Sequence, residues 1–200
     1  YRNLSNVEWE EVKWKEYSEI YYKQREGVKP EGKFLECFED VVVNNLATGA
    51  LDMGCGSFPI TEYMAKKHPS LKFLGIDISE KSENIFNNKI IKNYDNIEFI
   101  RGDILMHLDV FDRIDFFYSW GTFMHLDQKS MEQFFQYLSN KETKIIGIFQ
   151  EPFSDGELSK RYKGRDYCHN YEEYIAKYGF SLLKMHHIDD SFGIYFFTTK

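Results

Sequence analysis

Three cysteines are scattered through 200 residues, at Cys37, Cys55 and Cys168, and no two form a Cys-x-x-Cys pair. An odd and dispersed set excludes a disulfide framework and gives no zinc-ligand spacing, so no metal is expected and a cytoplasmic setting is. Long apolar runs are also missing. The longest, such as Ile145 to Phe149, are strand-sized, far short of the roughly 18 residues a membrane span needs. The opening residues are polar and acidic, unlike a secretory signal. Basic residues are in deficit: 25 Lys and Arg stand against 32 Asp and Glu, a net charge of −7. Such a chain is a poor match to a nucleic-acid backbone, and a nucleic-acid partner is not expected.

What is abundant is aromatic. Eighteen Phe, 14 Tyr and three Trp exceed the usual needs of one core. Most must nonetheless be core, with Phe58, Tyr118, Trp120 and Tyr171 as candidates to line a cleft. The hydrophobic and charged fractions, 42% and 28%, belong to an ordinary globular chain of one domain.

Apolar spacing predicts helices over residues 7–26 and 33–47, and then an alternation begins. Strand-like runs at 49–53, 71–76, 97–101, 114–120 and 144–150 are separated by helical stretches at 59–68, 80–93 and 127–139, and a further helix is read over 171–178. That order means βαβ units, a parallel sheet and helices on both faces. Two last strands, 181–188 and 193–199, are joined by four residues, so they form a hairpin and the final strand runs antiparallel. The expected fold is therefore α/β and Rossmann-like, with seven strands. Residues 1–48 form an N-terminal helical cap on a ligand-binding domain spanning 49–200.

The most informative stretch is Leu51-Asp52-Met53-Gly54-Cys55-Gly56-Ser57-Phe58-Pro59. It leads from a strand into a helix, where glycines permit a tight turn and close backbone approach to a nucleotide. Asp77, 23 positions after Gly54 and at the end of the next strand, is placed to bind a ribose. A Walker loop is excluded because no Gly-Lys-Ser/Thr follows. Pro59 replaces the third glycine of a dinucleotide fingerprint, which argues against NAD. Asp52, two residues before Gly54, suits a ligand that brings a positive charge to the loop.

These residues resemble a known family. Leu-Asp-Met-Gly-Cys-Gly is similar to motif I of the class I S-adenosylmethionine-dependent methyltransferases, and Gly75-Ile76-Asp77-Ile78-Ser79 to motif II. Arg101-Gly102-Asp103-Ile104 resembles the stretch whose acid meets the adenine amino group, and residues 116–121 stand in the place of motif IV. The terminal hairpin agrees with that family as well. The resemblance implies S-adenosyl-L-methionine as cofactor and S-adenosyl-L-homocysteine as product. Asp77 then holds the ribose, Asp103 the adenine amino group, and Ile78 and Ile104 sandwich the ring. Gly54, Cys55 and Gly56 form the loop at the methionine end, where Asp52 supports either the loop or the ammonium, and the backbone around Ser119 meets that ammonium. Phe58 departs from the family, which often has a third glycine there; its ring either packs on the methionine end or narrows the site.

Acceptor residues should follow strands four and five. His125 leads as general base, followed by His169 and Glu151, although each also has a plain structural reading: a helix cap, a packed ring, a turn residue. Asn170 is either a pocket residue or a helix N-cap. Tyr17 and Tyr21 in the cap, Trp120, and Arg161 and Arg165 in a local basic run are the candidate acceptor-binding residues. The absence of an Asp/Asn-Pro-Pro-aromatic signature and of a Pro-Cys pair favours O- or N-methylation of a small molecule such as a sugar, a glycan precursor or a natural-product intermediate, phosphorylated or carboxylated where the basic run engages it. The protein is read as a monomer or homodimer. Two rivals are a catalytically silent cofactor-binding subunit and an NAD-dependent oxidoreductase.

Overall fold

Every residue of Gly49–Met53 is buried, although its side chains alternate between two faces. Ala50 enters one core while Leu51 and Met53 enter the other. A strand covered on both sides shows no alternation of apolar and polar residues, which is the mark of a parallel sheet between helix layers. The computed structural model of the chain describes residues 32–44, 47–161 and 166–199. Tyr17, Tyr21 and Arg165 lie outside them, as does all of the expected cap before Gly32.

The strands are β1 (Gly49–Met53), β2 (Lys72–Asp77), β3 (Ile97–Arg101), β4 (Phe116–Trp120), β5 (Ile146–Pro152), β6 (Ser159–Arg161), β7 (Tyr167–His169), β8 (Ser181–His187) and β9 (Phe192–Thr198). Seven of them form one sheet in the order β3-β2-β1-β4-β5-β9-β8, and β6 and β7 form a separate hairpin. β1 pairs in parallel with β2 and β4, and β9 lies antiparallel to both β5 and β8, as the short final link requires. Strand order reverses between β1 and β4. The crevice at their carboxyl ends is where such sheets bind ligands.

Helices α1 (Lys33–Val43), α2 (Pro59–Lys67) and α3 (Glu80–Ile85, continuing through a π turn at Phe86–Ile90 to Ile91–Asn93) bury residues in the core that holds Ala50. Helices α4 (Gln128–Ser139) and α5 (Tyr171–Lys177) bury theirs in the core that holds Leu51. Asp127 and Asn170 cap α4 and α5 by accepting from Ser130 N at 2.9 Å and Glu173 N at 3.1 Å, so Asn170 is an N-cap. The connection between β5 and α5, read as a basic loop, instead contains the β6–β7 hairpin. Much of the aromatic surplus is spent in these cores. Phe117 alone packs against Phe111, Phe123, Phe134 and Phe197.

Three of the four rings proposed for the cleft are core residues. Tyr118, Tyr171 and Phe58 are completely buried, and Trp120 alone of the four lines the crevice. Phe58 explains itself through its backbone. Its φ of 63° lies in the left-handed region where a glycine is unstrained. Here the ring turns away from the crevice and packs against Phe86 and Phe99 at 6.0 and 5.7 Å, over the bare α-carbon of Gly75. Left-handed strain of about 1–2 kcal/mol is outweighed by burial of a ring whose removal costs about 3–5 kcal/mol. Phe58→Gly and Phe58→Ala are therefore both destabilising, but the glycine variant should be the more stable by about 1 kcal/mol, the reverse of the usual order within folded elements. Urea unfolding midpoints of the two variants check this; an alanine variant at least as stable as the glycine one contradicts the strain.

Candidate active site

The turn after β1 is held open by β2. Gly54 N and Cys55 N both donate to the Ile76 carbonyl, at 2.8 and 3.3 Å, and Gly56 N donates to Asp77 Oδ2 at 2.8 Å. The other oxygen, Oδ1, accepts from Ser79 N at 2.8 Å. Asp77 thus ties the glycine loop to the turn after β2, and its carboxylate is fixed before any ligand arrives. Burial pushes its pKa up, against the pull of the Ser79 and Gly56 amides and of the nearby His125.

Gly54 has two reasons to be glycine. Its φ is +72°, and a Cβ there would lie 2.2 Å from Thr122 Oγ1. Thr122 comes this close because its hydroxyl donates to the Met53 carbonyl at 2.9 Å. The turns after β1 and β4 are therefore locked together.

Asp52 lines an open cleft of about 350 Å³ with Gly54, Cys55, Gly56, Ser57, Pro59, Ile60 and Trp120. Its carboxylate accepts a short hydrogen bond from Thr61 Oγ1 in α2, and the same hydroxyl lies 3.0 Å from Tyr118 OH. These contacts tie Asp52 to α2 and β4. Burial raises its pKa to about 7, a tension that a cation in the cleft would relieve. Trp120 stacks on Phe34 of α1 at 6.3 Å. Cys55 is buried against Gly75, and burial pushes its thiol well above the usual range, so it contributes backbone rather than chemistry. After β3, Asp103 caps the Ile104–Met106 turn by accepting from Leu105 N at 3.0 Å. Ile78 is half-buried and Ile104 buried.

The acceptor candidates separate sharply. His125 ends the 3₁₀ turn Phe123–His125, and its Nδ1 lies 3.0 Å from Asp166 Oδ1. A carboxylate accepts, so Nδ1 carries the proton and Nε2 is the basic nitrogen of the neutral ring. Asp166 was missed in the sequence, because 41 residues separate the pair and no spacing rule links them.

His169 is not available as a base. It is fully buried, with Nε2 3.1 Å from the Phe123 carbonyl and Nδ1 2.7 Å from Ser159 Oγ. A carbonyl can only accept, so Nε2 is protonated and Nδ1 accepts from Ser159, whose oxygen in turn accepts from Tyr174 OH at 2.9 Å. Desolvation lowers its pKa to about 4 and keeps the ring neutral.

Glu151 is likewise fully buried and engaged. Its Oε1 accepts from Ser119 Oγ at 3.0 Å, Thr122 N at 2.8 Å and Phe123 N at 3.1 Å, and its Oε2 from Met124 N at 3.3 Å. Burial raises its pKa to about 7 in spite of those donors. Both catalytic readings, of His169 and of Glu151, give way to structural ones for the same reason: depth and saturated hydrogen bonding. The Ser119 side chain is consumed by Glu151. Arg161 is exposed on β6, with its guanidinium over the Tyr167 ring at 5.6 Å, and it does not reach the cleft lining.

Residues 50–140 match the family model described as a methyltransferase domain. No curated protein sequence matches the chain. Among solved structures, a magnesium protoporphyrin IX methyltransferase from Synechocystis PCC 6803, with bound S-adenosylmethionine, superposes with a TM-score of 0.66 at 14% identity, covering 99% of both chains. A putative sarcosine dimethylglycine methyltransferase from Galdieria sulphuraria gives 0.64 at 13% identity over 84% of this chain and 85% of its own. An S-adenosylmethionine-dependent methyltransferase from Clostridium acetobutylicum ATCC 824 gives 0.62 at 16% identity over 92% and 98%. At such identities the structures share a fold. Over residues 50–140 the chain is thus similar in sequence to a methyltransferase domain, and over most of its length it shares the fold of S-adenosylmethionine-dependent methyltransferases.

Proposed function

We propose that this protein transfers a methyl group from S-adenosyl-L-methionine to an oxygen or nitrogen of a small molecule. The observation that carries the reading is the cleft itself: a buried carboxylate, Asp52, beside two left-handed glycines, with the braced Asp77 at the end of the adjacent strand. The residues fit the cofactor. Asp52 faces the loop as an acid whose charge is poorly solvated and is stabilised by an ammonium. Asp77 has lone-pair capacity for a ribose hydroxyl beyond that committed to Gly56, Ser79 and Ser82, and Asp103 stands one strand further for the adenine amino group.

When bound, the cofactor supplies an electrophilic methyl group on a sulfonium whose departing form is a neutral thioether. The protein therefore needs to align the acceptor and exclude water. A hydroxyl acceptor must also lose its proton, and His125 takes it at Nε2, with Asp166 holding the ring through Nδ1 and stabilising the imidazolium that results. An acceptor that arrives already deprotonated needs His125 only for orientation. The neighbours named for magnesium protoporphyrin IX and for sarcosine and dimethylglycine support a small-molecule acceptor. The His125–Asp166 pair favours an enzyme over a silent cofactor-binding subunit.

His125→Ala should lower methyl transfer by about 10²–10⁴-fold while S-adenosylhomocysteine binds as in the native protein. Transfer from labelled S-adenosylmethionine into a metabolite extract reads the first quantity and calorimetry the second. Undiminished transfer with cofactor bound would remove His125 as the base, and a native chain that labels nothing would leave the silent-subunit reading standing.

Cofactor affinity should also depend on pH through Asp52. In the empty cleft this acid ionises only near pH 7, and a cationic ligand binds the ionised form. Affinity therefore rises with pH from about 6 to about 7.5, approaching tenfold per unit on the acid side. Asp52→Asn should flatten that slope in isothermal titrations; a slope that survives the substitution belongs to another group.

A further inference from the structure

The turn from Thr122 to His125 is anchored from three strands at once. From β5, the Glu151 carboxylate holds the amides of Thr122, Phe123 and Met124. From β1, the Met53 carbonyl holds the Thr122 hydroxyl, which fills the space a side chain on Gly54 would need. From β7, His169 Nε2–H donates to the Phe123 carbonyl. One end of this turn thus abuts the glycine loop, and the other end carries His125.

We propose that Glu151 is a positioning residue for methyl transfer, which sets the glycine loop and His125 in one fixed relation by holding the turn between them. The proposal rests on the cofactor reading given above. Three successive amides converging on one carboxylate is an arrangement no helix or strand ladder provides. A group in this position has no route to an acceptor proton, because both of its oxygens are occupied and it is completely buried. What it can transmit is geometry. A shift of the turn moves Thr122, whose hydroxyl is bonded to the Met53 carbonyl and whose side chain occupies the space beside the bare α-carbon of Gly54. The same shift moves His125, one residue beyond Met124. The alignment demanded of donor and acceptor is thereby controlled from a residue that touches neither.

Two substitutions in the full chain separate this role from acid–base chemistry and from simple stabilisation. Glu151→Gln keeps one carbonyl oxygen for Ser119, Thr122 and Phe123 and loses only the longest bond, to Met124. Glu151→Ala loses all four. Calorimetric binding of S-adenosylhomocysteine, at temperatures where circular dichroism shows a folded chain, should be weakened about tenfold or more in the alanine variant and restored to within about threefold of native by glutamine. Transfer from labelled S-adenosylmethionine into a metabolite extract should follow the same order. A folded alanine variant with native affinity and transfer would reduce Glu151 to a stability element and overturn the proposal. So would a glutamine variant that binds S-adenosylhomocysteine normally yet transfers no better than alanine, since that pattern belongs to a proton-transfer group. If the alanine variant does not fold, Thr122→Val carries the test beside glutamine: it keeps the shape, deletes the hydroxyl bond to Met53, and should weaken S-adenosylhomocysteine binding about threefold to tenfold. Native affinity in that variant would show that the turn does not act on the glycine loop. A native chain that binds no S-adenosylhomocysteine at all would instead sink the cofactor reading beneath the proposal.

Discussion

Four donors converge on the Glu151 carboxylate, and the carboxyl ends of β1, β4 and β5 are organised around that point. Parallel strands end in turns whose amides and carbonyls have no ladder partner, and in most of the sheet those groups reach solvent or a helix. Here Glu151 lies beneath the turn after β4, and three of that turn's amides are satisfied from inside. A neutral side chain offers at most one carbonyl oxygen to three amides and a hydroxyl. An ionised carboxylate offers two oxygens and the charge that strengthens each bond. The cost is desolvation of the carboxylate, visible in the pKa of about 7.

Asp52 repeats that bargain on the other side of Gly54. It too is buried, it too ionises near 7, and it too is held by neighbours, Thr61 and Tyr118. Both acids sit above their unfolded values, so the folded chain binds more protons than the unfolded one between about pH 4 and 7. Stability contributed by these groups therefore falls as pH rises across that range and is level above it. Two carboxyls kept at such a cost within one crevice are a reason to look for function there. Their roles differ because their surroundings differ: Asp52 faces an open cleft, whereas Glu151 faces only amides and a hydroxyl.

That difference also marks what the sequence could reveal. Gly49–Met53 and Ile97–Arg101 are strands over the residues expected of them, since the signal lies in contiguous apolar runs bounded by turns. The place of Asp77 at the end of β2 was legible for the same reason. Glu151 also ends a strand and reads like Asp77, yet nothing in the string of residues tells an acid that opens on a cleft from one sealed under a turn. The pairing of β6 with β7 escaped because Ser-Lys-Arg has no apolar alternation. Asp166 and Ser159 escaped with it, and they are the partners that separate the two histidines.

The histidines make the argument concrete. His125 and His169 stand in similar company along the chain, each near an aromatic residue and each just before a helix. One has a carboxylate on Nδ1; the other has a hydroxyl on Nδ1 and a backbone carbonyl on Nε2. A carbonyl and a hydroxyl in a dry site favour the neutral ring, which is what a structural bridge must remain. His169 then fixes Phe123, and Phe123 belongs to the turn that carries His125, so the buried histidine helps to place its counterpart.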